Sequence, residues 1–240
     1  MHPPEKRLAG ILIPAFSPRR DGDLGIGDTL ALRQWIDWAS DHRVGFIQLL
    51  PINENGTDES PYSGISSVAL DPIYLACEVS QIPGLEEAEI ANARECLKGA
   101  LHSPLVDYPA VRGAKRNLLE LAWSRFDKAD KALVREFKHF RKTEEEWLGD
   151  YCLFRYLMEL HGEAKTWNEW PESCSNPQRA REFLEKRRAV DAAVVDYRLD
   201  YFAFVQWLCF RQWLGVRAHA DARGVKLMGD VPIGISWHSC

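Results

Sequence analysis

The sequence predicts an α/β protein in which parallel strands alternate with helices. Two short apolar runs, at 10–14 and 46–51, enclose a stretch with helical periodicity. A long amphipathic pattern at 200–224 then leads into a third apolar run at 225–235. Strands that alternate with helices along a chain are typical of a parallel sheet with helices packed on it. The sequence between the second and third runs is dominated by helical patterns, which predicts a large insertion.

The first strand, helix and second strand are predicted within residues 1–75. "GILIP" (10–14) suits a strand that is buried on both faces and ended by a proline. Asp28 is the predicted N-cap of the next helix, and Gly45 is predicted to follow its end. One apolar face of this helix is formed by Leu32, Trp35, Ile36 and Ala39. "FIQLLP" (46–51) is the second strand, reached by a right-handed crossover.

Residues 76–200 are predicted to form a mostly helical insertion. Stretches such as "NLLELAWSRF" and "DYCLFRYLMELHG" are amphipathic and have charged faces. "WNEWPESCSNPQ" (167–178) contains two prolines, which indicates a break between helices.

Residues 201–240 are predicted to return to the sheet. The helix at 200–224 ends at Gly224 and carries one apolar face, formed by Phe202, Val205, Cys209, Val216 and Ala220. "VKLMGDVPIGI" (225–235) is the predicted third strand, with the acid Asp230 set into it.

Three strands do not close a barrel. A (β/α)₈ barrel needs eight parallel strands and about 250 residues before insertions, and the insertion takes about half of these 240 residues. A three-stranded sheet alone would expose an edge. We therefore expect an N-terminal fragment of a larger barrel. A small open α/β sheet is the alternative, which is disfavoured because the third strand leads into no closing helix.

The composition argues against several classes of partner. The net charge is −5, and the 30 Lys and Arg residues are interleaved with 35 Asp and Glu residues, so neither nucleic acid nor an anionic membrane is an expected partner. The N-terminus has no apolar signal segment, and no apolar run approaches the roughly 20 residues that span a bilayer. The six cysteines lack zinc-binding spacing. We expect reduced thiols, no metal or organic cofactor, and a cytoplasmic location.

The glycine-rich stretch "GDLGIGD" (22–28) does not predict a nucleotide site. Its spacing is GxxGxG and it begins eight residues after the strand, whereas a dinucleotide fingerprint lies directly at a strand–helix turn. We interpret it as a loop with positive-φ glycines that leads to an N-cap.

The loop at 52–75 is long for an ordinary connection, which indicates either a functional or a disordered segment. Its apolar and aromatic residues favour an ordered loop. Tyr62 lies just beyond a strand, at the edge where parallel sheets build their sites. Its ring could stack on the C–H face of a sugar while its hydroxyl forms a hydrogen bond. A tyrosine that only anchors the loop is an equally good reading of the spacing.

Further polar candidates accompany the predicted strands. Asp230 could bind a hydroxyl or orient a catalytic group, although an acid paired with an arginine or with backbone amides is the structural alternative. Gln48 could belong to an inner polar layer of a barrel. Trp237 and His238 follow the third strand and are well placed for ligand contact.

Several stretches together resemble the 4-α-glucanotransferases, the amylomaltases or disproportionating enzymes of glycoside hydrolase family 77. The similar stretches occur in order over nearly the whole chain. They are "AGILIPAFSP", "DLGIGD", "FIQLLPINENGTDESPYSGISSVALDPIYL", "WNEWP" and "FVQWLCFRQWLGVRAHADARGVKLMGDVPIGIS". The segments around "LPIN…SPYS" and "GDVPI" are the most specific.

The resemblance implies a (β/α)₈ barrel with helical insertions and cytoplasmic transfer of α-1,4-glucan segments with release of glucose. It implies substrate-binding roles for Tyr62, Asp230 and Ser60, to which the position of Trp237 adds a fourth candidate. The nucleophile and acid/base segments of the family do not occur in this sequence. We therefore expect no catalytic residue here and an inactive chain in isolation, because retaining chemistry needs a pair of carboxyl groups.

Two other functions are compatible with the sequence. The chain could be a non-catalytic glucan-binding module that keeps the sugar platform without the chemistry. It could also belong to a different α-glucan hydrolase of the same barrel class.

Overall fold

The structure is a computed structural model that describes residues 8–56, 59–163, 167–231 and 239. Within these ranges three strands form one parallel sheet in the order β1–β2–β3. The strands are β1 Gly10–Ile13, β2 Phe46–Leu49 and β3 Lys226–Met228. The predicted parallel sheet is therefore confirmed, whereas a closed barrel is not seen.

Seven α-helices are found in the described ranges, six of them between β2 and β3. They are α1 Thr29–Asp41, α2 Glu87–Cys96, α3 Lys98–Leu101, α4 Tyr108–Ser124, α5 Lys131–Thr143, α6 Glu145–Leu160 and α7 Pro177–Arg223. No helix in this part of the chain combines the length and the apolar character that crossing a membrane requires.

Helix α1 begins as predicted but ends earlier. The carboxylate of Asp28 accepts hydrogen bonds from the backbone N–H groups of Leu30 and Ala31 at 3.0 and 2.9 Å, which satisfies two of the unpaired donors of the first turn. After Asp41 the left-handed position is taken by Arg43 (φ 59°) rather than by a glycine. Gly45 lies further on, and its N–H donates to the carbonyl of Ala9.

Helix α7 consists of two segments that meet at Asp191, where φ is −152° and ψ is 85°. The Asp191 carboxylate accepts from the N–H of Val194 at 3.1 Å, so this residue caps the second segment. The helix predicted at 200–224 therefore extends further towards the N-terminus. It ends at Gly224 in the left-handed conformation (φ 69°), which confirms the predicted C-cap.

The two faces of the sheet have different environments. Ile47 and Leu49 are 1% and 3% exposed and pack with α1 and α7 in one apolar cluster, together with Ile36, Ala39, Val216 and Ala220. On the opposite face, Leu12 pairs in register with Gln48, and Gln48 with Met228. Leu12 and Met228 are 54% and 46% exposed, so the described residues leave this face open to solvent.

A second apolar cluster holds the insertion together and is rich in aromatic rings. The ring of Phe126 lies 4.8 Å from that of Phe204 and 5.3 Å from that of Trp207. Trp123 of α4 lies 5.2 Å from Phe204, and Phe137 of α5 completes the group. Each such pair adds about 0.5–1.5 kcal/mol beyond area burial. The cluster therefore fixes α4 and α5 against α7, the helix that also packs on the sheet.

The third strand is shorter than predicted. It ends at Met228, so Asp230 lies two residues beyond the strand and is not set into it. The partner strand explains this end, because β2 is followed by Leu50 and Pro51, and proline has no N–H to continue a ladder. Residues 232–235 of the predicted strand lie outside the described residues.

The loop before α1 is the glycine turn that the sequence predicts. Gly22 and Gly25 have φ values of 92° and 90°. Gly27 is restricted differently, because a Cβ there would lie 2.2 Å from the carbonyl oxygen of Ala15 and 2.8 Å from that of Pro18.

We expect Gly27→Ala to destabilise the protein by about 1–3 kcal/mol, because its methyl group meets backbone oxygens that no side-chain rotation can move. Urea unfolding gives the free energy. Gly99→Ala in α3 is the matched control, since nothing lies within 4 Å of its added methyl group. Equal stability of the two variants would contradict the close approach at Gly27.

Candidate functional site

The structure brings two of the predicted site residues into contact. The Tyr62 hydroxyl donates a hydrogen bond to Oδ2 of Asp230 at 2.7 Å. Tyr62 follows β2 and Asp230 follows β3, and these strands are neighbours in the parallel sheet. Tyr62 is 45% exposed and Asp230 is partly buried, so the pair lies at an accessible edge. The carboxyl edge of a parallel sheet is the usual place for a ligand site.

The hydrogen bond changes the acid–base behaviour of Tyr62. The hydrogen bond that the Tyr62 hydroxyl donates to Asp230 raises the pKa of Tyr62 above its ordinary value. Partial desolvation and the negative charge of Asp230 act in the same direction. Tyr62 therefore remains a protonated hydrogen-bond donor in neutral solution. The site presents an aromatic face beside a carboxylate.

Ser60 shapes the turn that presents Tyr62. Its Oγ accepts from the N–H of Tyr62 at 3.3 Å, and its carbonyl accepts from the N–H of Ser63 at 3.0 Å. A serine that bonds the backbone two residues on is a common turn device. A substrate contact of Ser60 stays a prediction.

The loop at 52–75, here called the Tyr62 loop, is ordered in its described part. Its two arms are joined by isolated antiparallel bridges, Asn53 with Leu70 and Asn55 with Gly64. The N–H of Glu54 donates to Ala69, and the Glu54 carbonyl accepts from Ile65. The loop therefore folds back on itself as a short ribbon, with Tyr62 near its tip.

Arg112 of α4 fixes the end of this loop. Its guanidinium donates two hydrogen bonds to the carboxylate of Asp71, at 2.9 and 2.7 Å. Asp71 also accepts from the N–H groups of Ile73 and Asn55. This contact was not predicted from the sequence, although the order Asp71-Pro72 is the signal of a capped turn.

Glu54 is a second functional candidate, which was not predicted from the sequence. Its carboxylate is buried, accepts a short hydrogen bond from the Tyr151 hydroxyl, and lies 3.2 Å from Nε of Arg155. Burial raises the pKa of Glu54, against the opposing effect of Arg155. Burial likewise raises the pKa of Tyr151 well above its ordinary value. The signal was Arg155 within the otherwise apolar stretch 151–158 of α6, because a buried cation needs a carboxylate.

The other predicted candidates have different outcomes. Trp237 and His238 lie outside the described residues. Gln48 lies on the open face of the sheet, partly buried between Leu12 and Met228. In the described ranges, no group of three or more His, Cys, Asp or Glu residues could hold a metal ion.

The fold and the position of the Tyr62–Asp230 pair define an α/β protein with a candidate ligand site at the carboxyl edge of its sheet. Residues 13–240 match the glycoside hydrolase family 77, described as 4-alpha-glucanotransferase. The chain belongs to this family, which confirms the resemblance seen in the sequence.

Similar proteins include two bacterial 4-alpha-glucanotransferases. The one from Chlamydia caviae is 35% identical over 232 residues, which cover 96% of this chain and 42% of the relative. The one from Thermus thermophilus is 33% identical over 193 residues, which cover 79% of this chain and 35% of the relative. The chain thus spans less than half the length of these relatives.

A solved structure shares the fold. The amylomaltase from Streptococcus agalactiae in complex with acarbose superposes with a TM-score of 0.78 at 24% identity, covering 98% of this chain and 45% of that chain. The helical insertion and the small parallel sheet are therefore an arrangement shared with an amylomaltase.

We expect Asp230→Ala to lower the pKa of Tyr62 towards its ordinary value, because the substitution removes the hydrogen-bond acceptor and the charge that disfavour the phenolate. Carbon-13 NMR of labelled tyrosine, followed through an alkaline titration, measures this pKa. Asp221→Ala, at an exposed position on α7, is the control. If Tyr62 titrates identically in the parent and in Asp230→Ala, the two side chains are not in contact.

Proposed function

We propose that this chain carries the glucan donor site of a 4-α-glucanotransferase, which transfers α-1,4-glucan segments between maltodextrins and releases glucose. The observation that supports the proposal is the Tyr62–Asp230 hydrogen bond, in a chain that belongs to the 4-alpha-glucanotransferase family. In this proposal Tyr62 and Asp230 contact the glucan directly. Ser60 supports Tyr62, and Trp237 contributes from the segment that follows β3.

The chemistry of the pair suits a sugar. A glucose ring has an apolar C–H face and a rim of hydroxyl groups, so it needs a flat apolar surface beside hydrogen-bonding groups. The half-exposed ring of Tyr62 supplies the surface. The Asp230 carboxylate is an acceptor for hydroxyl groups, and a charged acceptor forms stronger hydrogen bonds than a neutral one.

The proposed reaction uses a retaining mechanism. Two carboxyl groups about 5–5.5 Å apart are needed: one attacks the anomeric carbon, and the other protonates the leaving oxygen. A sugar hydroxyl must then reach the glycosyl-enzyme in place of water. We propose that this carboxyl pair lies in the part of the relatives' sequences that this chain does not cover. Neither a metal nor an organic cofactor enters this scheme.

The open face of the sheet supports a proposal about the whole fold. Leu12 and Met228 are too exposed for residues of a finished core, and they flank the polar Gln48. Inward-facing side chains of a (β/α)₈ barrel pack against one another in layers. We propose that this face becomes the barrel interior when five further strands complete the sheet. The proposed domains are 1–75 and 201–240 as barrel segments, and 76–200 as the insertion.

The proposed location is the cytoplasm, and the proposed partners are α-1,4-glucans rather than nucleic acids or membranes. Four cysteines, Cys77, Cys152, Cys174 and Cys209, are buried free thiols, as suits a reducing compartment. Acarbose, which accompanies the similar amylomaltase structure, is a suitable probe for the site.

We expect the 240-residue chain to bind acarbose and Tyr62→Ala to weaken that binding about tenfold, since one lost ring contact is worth about 1.4 kcal/mol. Tyr62→Phe keeps the ring and should lose less. Isothermal titration calorimetry gives the affinities. Tyr197→Ala is the matched control, because Tyr197 is 46% exposed and lies on α7, where its ring contacts Trp123 of α4. Equal affinity of Tyr62→Ala and the parent would refute the donor-site assignment.

An activity assay separates this proposal from its alternative. The chain by itself should not disproportionate maltotriose, because the proposed carboxyl pair is not among its residues. Sustained formation of longer maltodextrins and glucose would overturn that part of the proposal. An open reading frame that continues beyond residue 240 would encode a longer protein. If that longer protein also failed to transfer glucan segments, a non-catalytic glucan-binding module would be favoured.

A further inference from the structure

Glu54 lies at the junction between the Tyr62 loop and the helical insertion. Its backbone joins the two arms of the loop, because its N–H donates to Ala69 at 2.9 Å and its carbonyl accepts from Ile65 at 2.7 Å. Its side chain reaches Tyr151 and Arg155, one turn apart on α6. A single residue therefore connects the arm that leads to Tyr62 with a helix of the insertion.

These contacts close a ring of hydrogen bonds. The Tyr151 hydroxyl donates to Glu54 and accepts from Nε2 of Gln206 at 2.9 Å. Gln206 in turn donates to the carbonyl of Leu70 and accepts from its N–H, both at 2.9 Å. Leu70 is bridged to Asn53, the residue before Glu54. The outgoing and returning arms of the loop are thus held by α6 and α7 through one connected network.

The ring depends on the chemistry of a carboxylate. Both Tyr151 and Arg155 approach Glu54 as donors, so the group between them must offer two acceptor oxygens. An amide at this position would turn one N–H group towards a donor and leave buried groups unpaired. Glu54, Tyr151 and Gln206 are 5%, 2% and 0% exposed, so their contacts are shielded from bulk solvent.

Packing alone does not confine this side chain. A cavity of about 70 Å³ lies beside Glu54 and is also lined by Tyr151, Arg155 and Arg198. Directional hydrogen bonds, rather than close contact on all sides, therefore set the orientation of the carboxylate. A buried ion pair is also weak as a source of stability, because desolvation offsets its attraction. The arrangement is better suited to fixing the conformation of the loop than to stabilising the fold.

We propose that Glu54 is a positioning residue, which uses α6 and α7 to hold the Tyr62 loop where Tyr62 meets Asp230. Its effect on glucan binding rests on the function proposed above. Its effect on the Tyr62–Asp230 contact does not, so the two proposals can fail separately.

The test replaces the ionic contact by apolar side chains in the double variant Glu54→Leu/Arg155→Met. Replacement of a buried ion pair by apolar residues of similar volume is often neutral for stability, so a cooperative fold is expected. Tyr62 should nevertheless titrate at a lower pH than in the parent chain, because its loop no longer holds it against Asp230. Acarbose affinity should fall about tenfold, as for loss of the ring itself.

Glu163→Gln is the matched control. Glu163 lies 3.1 Å from Nη1 of Arg155, whereas Glu54 lies 3.2 Å from Nε, so this variant removes a different carboxylate from the same arginine. It should leave both the titration of Tyr62 and the acarbose affinity unchanged. Tyr151→Phe, which removes a single hydroxyl group, provides the test if the double variant does not fold.

A folded variant whose Tyr62 titrates as in the parent would overturn the positioning role. If the titration shifts but neither the parent nor the variant binds acarbose, the positioning role stands and the proposed donor site fails. If the titration shifts in Glu163→Gln as well, the effect belongs to Arg155 and the inference for Glu54 is wrong.

Discussion

The parallel pairing of β2 with β3 is the constraint on which the site depends. These strands are separated by more than 170 residues of chain, yet Phe46 pairs with Lys226 and Gln48 with Met228. Parallel strands end at the same edge of a sheet, so the segments that follow them must lie side by side. The pairing therefore brings the Tyr62 loop to the edge where Asp230 lies. The apolar cluster beneath the sheet, shared by α1 and α7, keeps the register in place.

The helical insertion also contributes to the carboxyl edge. Its helices α4 and α6 send Arg112, Tyr151 and Arg155 to the base of the Tyr62 loop, and the part of α7 beyond residue 200 adds Gln206. Each is buried or partly buried and meets a specific partner. Loops are normally less ordered than the elements they connect. Here the polar contacts from α4, α6 and α7 hold the base of the loop in place.

Local features of the fold could be predicted from the sequence. Asp28 at the start of α1, Gly224 at the end of α7 and the left-handed glycines at 22 and 25 follow from interactions within a few residues. The position of Tyr62 beyond the second strand followed from strand order, whereas Asp230 was predicted within the third strand and lies two residues beyond it. The break at Asp191, the early end of β3 and the burial of Glu54 were missed. The end of β3 and the burial of Glu54 depend on partners distant in the chain, which a local pattern does not contain.

The sequence by itself determined the parallel α/β class and the family resemblance, and it singled out Tyr62 and Asp230 as candidates. Periodicity and capping act over one or two turns, so they can be read along the chain. Only the tertiary structure decided that Asp230 lies beyond its strand, that Tyr62 donates to it, and that Glu54 is held by Tyr151 and Arg155. These contacts join residues that are about 100 or more positions apart in the chain. The distances between such residues are set by tertiary packing.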